Sequence, residues 1–206
     1  MRIVCLALLG CVLLTGGCAT DRALFNGRDL TGWQEIGSTG AWSVSDGVLH
    51  CNGQRDRYAW LCSEGRYGDF ELTLDWKISP GGNSGVFLRA PSPEGRTSML
   101  GFEVQVIDDS AHTDLTDVSG SIFRRVNALG RYSLPVGQWN TCKITCVGRH
   151  VRVELNGQLA SEAHFDTVPP QGDDPPMRDV PDVGHIGLQN HDSVVEFRNI
   201  RIREIR

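Results

Sequence analysis

Residues 70–78 alternate without a break: Phe70, Leu72, Leu74, Trp76 and Ile78 against Glu71, Thr73, Asp75 and Lys77. On a helix those apolar side chains would scatter around the cylinder. On a strand they share one face, so a period of two over nine residues demands a half-buried strand. Such a strand must cover its apolar face with a second layer, and the rest of the chain offers short strands for it. Residues 42–44 and 48–51 flank Asp46-Gly47, a tight-turn pair. Further strands read at 59–62, 86–89, 101–107, 139–147, 151–155, 158–160 and 184–189. Gly148-Arg149 and Asn156-Gly157 are hairpin connections between them. The last strand, 194–205, carries Val195 and Phe197, then Ile200 and Ile202. Its phase slips at Arg198-Asn199, which predicts a β-bulge there.

No segment shows a long helical period. Residues 166–183 hold five prolines and several aspartates, and 108–120 are polar and aperiodic, so both read as loops. About a dozen short strands separated by turn signals predict an all-β chain: a two-sheet antiparallel β-sandwich of the jelly-roll kind.

The first residues stand apart. Arg2 precedes an apolar run that ends in Thr15-Gly16-Gly17, the order of a secretory signal. The run is shorter than the roughly 20 residues that span a bilayer. Cys18 follows those small residues and resembles the lipidated cysteine of a bacterial lipobox. We therefore expect a signal at 1–17, a lipidated Cys18 with a short tether to residue 23, and a domain over 24–206. The absence of Asp after Cys18 points to the outer membrane and the periplasmic face. The whole chain carries a formal charge of −5. Without Arg2 the body is more acidic still, which argues against nucleic acid, whose phosphates need basic patches.

Of seven cysteines, Cys51, Cys62, Cys142 and Cys146 lie in the body. Cys142 and Cys146 are four apart on one strand, roughly 13 Å, beyond the roughly 7 Å that a disulfide bridges. Cys51 and Cys62 sit on successive strands, where both a cross-hairpin disulfide and two buried thiols are open readings.

Three polar clusters stand out. Asn83-Ser84-Gly85 leads to Arg89. Glu103 and Gln105 are two apart and share a face. Gln189-Asn190-His191 ends a late strand. Carboxylate, amide, guanidinium and imidazole groups hydrogen-bond sugar hydroxyls, and some of them move protons. Each alone also suits a solvated outer face.

Several motifs then fall in one order: Leu24-Phe25-Asn26-Gly27-Arg28-Asp29-Leu30-Thr31-Gly32-Trp33, Gly68-Asp69-Phe70-Glu71-Leu72, Gly82-Asn83-Ser84-Gly85-Val86-Phe87-Leu88-Arg89, Gly101-Phe102-Glu103-Val104-Gln105-Val106-Ile107-Asp108, and Phe197-Arg198-Asn199-Ile200-Arg201-Ile202. Over 24–205 the chain resembles the 3-keto-disaccharide hydrolase family, also described as 3-keto-glucoside 1,2-lyase/hydratase domains. Two places depart from the family's pattern. Phe123 stands where the family often has an aromatic hydroxyl. Asn190 and Asp192 flank His191, where Asp and Gly are usual.

The resemblance implies a concanavalin-like jelly roll that cleaves 3-keto-glucosides. A ketone at C3 acidifies the C2 proton; a base removes it, the enolate expels the C1 substituent, and water can add to the double bond. It implies proton transfer by Glu103 or His191 and enolate stabilisation by Arg89. Asn83, Gln105 and Gln189 would hold hydroxyls, with Asp108 and His112 on the adjoining loop. Trp42 or Trp76 could stack on a sugar, although Trp76 also belongs to the apolar stripe of 70–78. Two other readings compete: a non-catalytic carbohydrate-binding module and an adhesion or scaffolding sandwich, since fold alone does not decide function. No cofactor is expected. Asp108, Asp109, Asp114 and Asp117 offer oxygen ligands of the kind calcium takes, but at no standard spacing.

Overall fold

The computed structural model describes residues 20–205. The signal segment and Cys18 lie outside the described residues. The strands run in chain order as β1 (Arg22–Ala23), β2 (Trp33–Ile36), β3 (Trp42–Ser45), β4 (Val48–Cys51), β5 (Ala59–Tyr67), β6 (Phe70–Ile78) and β7 (Asn83–Ala90). They continue as β8 (Phe102–Ile107), β9 (Asn140–Val147), β10 (His150–Leu155), β11 (Gln158–His164), β12 (Gly184–Asn190) and β13 (Val195–Glu204). A single helical turn, α1 (Thr97–Leu100), precedes β8.

Two antiparallel sheets form. The larger has eight strands, ordered β11-β10-β9-β6-β13-β4-β3, with β1 also paired to β13; the smaller is β2-β5-β12-β7-β8. The strand at 70–78 lies within the larger sheet and alternates buried and half-buried along its whole length. Phe70, Leu72, Leu74 and Trp76 share one interior with Val86, Leu88, Val104 and Leu188 of the smaller sheet. The turns follow their sequence signals. Asp46 and Gly47 have φ of 50° and 76°, and Asn156 and Gly157 have 51° and 79°, the left-handed pairs that a tight two-residue hairpin requires. The bulge in β13 falls between Arg198 and Arg201, with Asn199 at φ 53°.

Two strands escaped the sequence pattern. β2 was too short to show a period. Residues 22–23, read as part of a tether, add to β13 beside the ion pairs Arg22–Glu204 and Arg201–Asp21. The four cysteines among the described residues are free and buried. Cys51 faces the shared interior and Cys62 the opposite side of the smaller sheet, so consecutive strands do not bring them together.

The two sheets differ on their outer faces. The larger alternates toward solvent. In the smaller, β7, β8 and β12 are buried on both sides. Trp60, Cys62, Phe87 and Ala90 form an apolar cluster on that outer side, with Ile36 and Tyr58 packed against it.

Candidate active site

Outward positions of β7, β8 and β12 converge. Asn83 and Gly85 come from β7, Glu103 and Gln105 from β8, and Gln189 from β12, with His191 just beyond. Register sets Gly85 opposite Gln105 and Phe87 opposite Glu103. Asn83, Glu103, Gln105, Gln189 and His191 line a cavity of about 240 Å³ that Arg55, Tyr58, Arg96, Ser98 and Phe123 complete. Phe123 belongs to a segment that extends the sheet past β8, its N–H donating to the Glu103 carbonyl at 2.9 Å.

Glu103 is the electrostatic centre of the cavity. It is 2% exposed, and no side chain among the described residues neutralises it. Burial pushes its carboxyl well above the ordinary 4.5, and the nearby Asp117 charge adds to the rise. Two amide oxygens, Asn83 Oδ1 and Gln189 Oε1, are buried without a partner. An orphaned buried acceptor costs about 1–3 kcal/mol. A hydroxyl-bearing ligand would satisfy both.

Gly85 makes room for the carboxyl. A Cβ there would sit 2.0 Å from Glu103 Oε1. Gly187 on β12 makes room for Trp60 instead, since a Cβ there would meet its ring at 2.0 Å. Gly85→Ala is therefore expected to swing Glu103 out of position and lower turnover about 100-fold, with far-ultraviolet circular dichroism unchanged; steady-state kinetics on the purified variant checks it.

The loop before β5 brings in Arg55 and Tyr58. Asn190 Nδ2 donates to the Gln54 carbonyl at 2.7 Å. Arg55 Nε donates to Asp192 Oδ1 at 2.6 Å, and Arg55 Nη2 pairs with Oδ2. This hydrogen-bonded pair holds the Asp192 carboxyl below its usual range and raises the arginine. The two departures beside His191 thus anchor one cavity wall. Tyr58 stacks on Phe87 with centroids 6.0 Å apart. Its hydroxyl accepts from the Ser98 N–H at 3.3 Å, and burial raises its pKa.

Other sequence candidates lie elsewhere. Arg89 is fully buried between the sheets. It donates to the carbonyls of Gly68 and Gly148 and pairs with Asp69 at 3.1 Å. Strand parity would place it on the outer face with Asn83, but its φ of 50° turns it inward. Arg89 therefore does not line the cavity that holds Glu103. Trp42 packs in the interior against Phe197, at 6.3 Å between centroids, and Trp76 is interior too; neither can stack on a sugar in this cavity. Asp108 spends its oxygens on the N–H groups of Gly81 and Ser110, at 2.8 and 3.0 Å, and these bonds lower its pKa. It borders a separate cavity lined by Trp76, Leu134 and Pro135. His112 follows on the same loop, outside the lining of the Glu103 cavity. Asp109, Asp114 and Asp117 likewise accept from loop N–H groups.

Sequence reasoning missed Arg55, Tyr58, Arg96 and Ser98. All four lie off the regular strand pattern. Only the aromatic Tyr58, just ahead of an apolar run, gave any local signal.

A buried carboxyl beside unpaired amide oxygens in a sandwich groove suits a hydroxyl-bearing ligand. The chain belongs to the family of 3-keto-alpha-glucoside-1,2-lyase-like domains, whose model matches residues 20–203. It is 26% identical to a 3-keto-disaccharide hydrolase from Bacteroides thetaiotaomicron, over 87% of this chain and 77% of that protein. A candidate glycosyl hydrolase from Parabacteroides distasonis superposes with a TM-score of 0.79 at 27% identity, covering 90% of this chain and all of that one. A Bacillus subtilis protein with a galectin-like fold superposes at 0.59 and 18% identity, over 92% and 96% of the two chains. That likeness concerns the fold.

Proposed function

We propose that the protein cleaves the glycosidic bond of 3-keto-glucosides by elimination, followed by hydration. The observation that carries this reading is Glu103: a buried, unpaired carboxyl facing a cavity whose other groups accept and donate hydrogen bonds. Burial disfavours the charged form of that carboxyl, so once ionised it is a stronger base than in solution.

In this reading Glu103 takes the proton from C2, and the C2–H electron pair delocalises onto the C3 oxygen. The Arg55 guanidinium stabilises that enolate. The enolate then expels the C1 oxygen, which takes a proton from His191 or Tyr58. Water adds across the C1–C2 double bond: its hydroxyl goes to C1, its proton restores the acid, and Glu103 returns a proton to C2. The net change is one water consumed, with 3-keto-glucose and the free aglycone formed. Asn83, Gln105 and Gln189 hold the ring hydroxyls.

The test is to follow aglycone release from a 3-keto-glucoside, from the same compound deuterated at C2, and from its unoxidised parent. Release from the keto compound alone, slowed by deuterium at C2, is the expected result. Release from both the keto compound and its parent, with no C2 isotope effect, would replace elimination with direct hydrolysis. Saturable binding of both compounds without release would make this a carbohydrate-binding module.

A further inference from the structure

A second depression adjoins the Glu103 cavity and shares two of its residues, Tyr58 and Arg96. It measures about 420 Å³, and Ile36, Arg57, Pro93 and Glu94 complete most of its lining. Its chemistry is the opposite of its neighbour's. The Glu103 cavity presents three side-chain amides. The adjoining one presents none: its body is Ile36, Pro93 and the Tyr58 ring, and its charged residues, Arg57, Glu94 and Arg96, are exposed at the rim. The Tyr58 hydroxyl is already engaged with Ser98. The floor is also well fixed. Ile36 and Tyr58 pack against the Trp60–Phe87 cluster, and Trp60 Nε1 donates to the Pro93 carbonyl at 3.3 Å.

We propose that this depression is the leaving-group subsite and that it takes an aryl aglycone, not a second sugar. The inference rests on the reading of the Glu103 cavity as the sugar subsite. With the glucosyl ring there, its C1 substituent crosses the Tyr58 boundary into the adjoining space. A second sugar could meet the charged rim, but it would also set hydroxyls against Ile36, Pro93 and the Tyr58 ring, which offer them no side-chain partner, and buried hydroxyls left unpaired weaken binding. A planar aromatic ring loses no hydrogen bonds there and stacks on Tyr58. A phenol also departs from an enolate more readily than an alcohol, because its pKa lies near 10.

The experiment compares kcat/KM for 4-methylumbelliferyl and methyl 3-keto-glucosides in wild type, Ile36→Ser and Pro93→Ser. The serine at 93 keeps the backbone carbonyl that Trp60 bonds. The expected result is a fall of about tenfold in the aryl-to-methyl ratio in Ile36→Ser, and a fall in the same direction in Pro93→Ser. An unchanged ratio in both variants would overturn the subsite and leave the elimination reading standing. No turnover of either compound would instead overturn the elimination reading. A fluorescence titration with free 4-methylumbelliferone then decides the subsite alone: saturable binding weakened by both substitutions supports it, and its absence overturns it.

Discussion

Glu103→Gln is expected to slow aglycone release by about 10²–10⁴-fold, the usual contribution of a positioned proton-transfer group, and at the same time to raise the melting temperature at pH 8. The two effects have one cause. Burial favours the neutral carboxyl in the folded chain, so the folded state keeps a proton that the unfolded chain releases above about 4.5. Where the native state binds more protons than the unfolded state, stability falls as pH rises. The loss begins at the ordinary carboxyl value and is complete above the raised folded one. Glutamine is neutral throughout and of nearly the same shape, so the variant escapes that loss. In a chain this long about 1 kcal/mol moves the midpoint by about 2–4 °C, well within reach of a thermal scan.

The same raised carboxyl sets the sign of the wild-type rate profile. A base acts in its ionised form, so kcat/KM is expected to climb with pH through the raised value. A pH-rate series on the wild type measures it. A glutamine variant that lost both rate and melting temperature would show Glu103 holding the structure together instead. A rate that fell with rising pH would make Glu103 the acid.

The groove was half legible in the sequence, and its two halves show why. Glu103 and Gln105 sit two apart on a strand with a clear period, so their shared face follows from counting residues, whereas Asn83 lies outside the strand read at 86–89 and joins them, with Gln189, only through the pairing of β7, β8 and β12. Tyr58 and Arg55 sit in a polar loop with no period. What places them is a set of long-range bonds, Asn190 to Gln54 and Asp192 to Arg55, that no local pattern records. Arg89 failed for another reason. Parity along β7 carries each odd position outward until one residue adopts a left-handed φ, and from sequence an arginine gives no sign that it will do so. The glycines were visible as letters but not as clearances: only the three-dimensional register shows Gly85 beneath the Glu103 carboxyl.

Arg89→Met is expected to cost about 3 kcal/mol of stability, since removing one partner of a buried pair typically costs about 3–5 kcal/mol and Asp69 keeps some contact with water. The guanidinium ties the smaller sheet to the larger through Gly68, Asp69 and Gly148. It also lies 5.6 Å from the centre of the Phe165 ring. Methionine fills much of the volume but leaves the Gly68 and Gly148 carbonyls without their donor and the Asp69 carboxylate with the Gly148 N–H alone. Urea denaturation of the variant against wild type measures the loss. Kinetics at low temperature, where both remain folded, gives the second readout. If Arg89 only joins the sheets, kcat should stay within about twofold of wild type, because nothing that touches the transition state has changed. If it stabilised the enolate, kcat would fall by about 100-fold or more in a protein of nearly normal stability. The two measurements move in opposite directions under the two roles, and the contacts to Gly68, Asp69 and Gly148 favour the first.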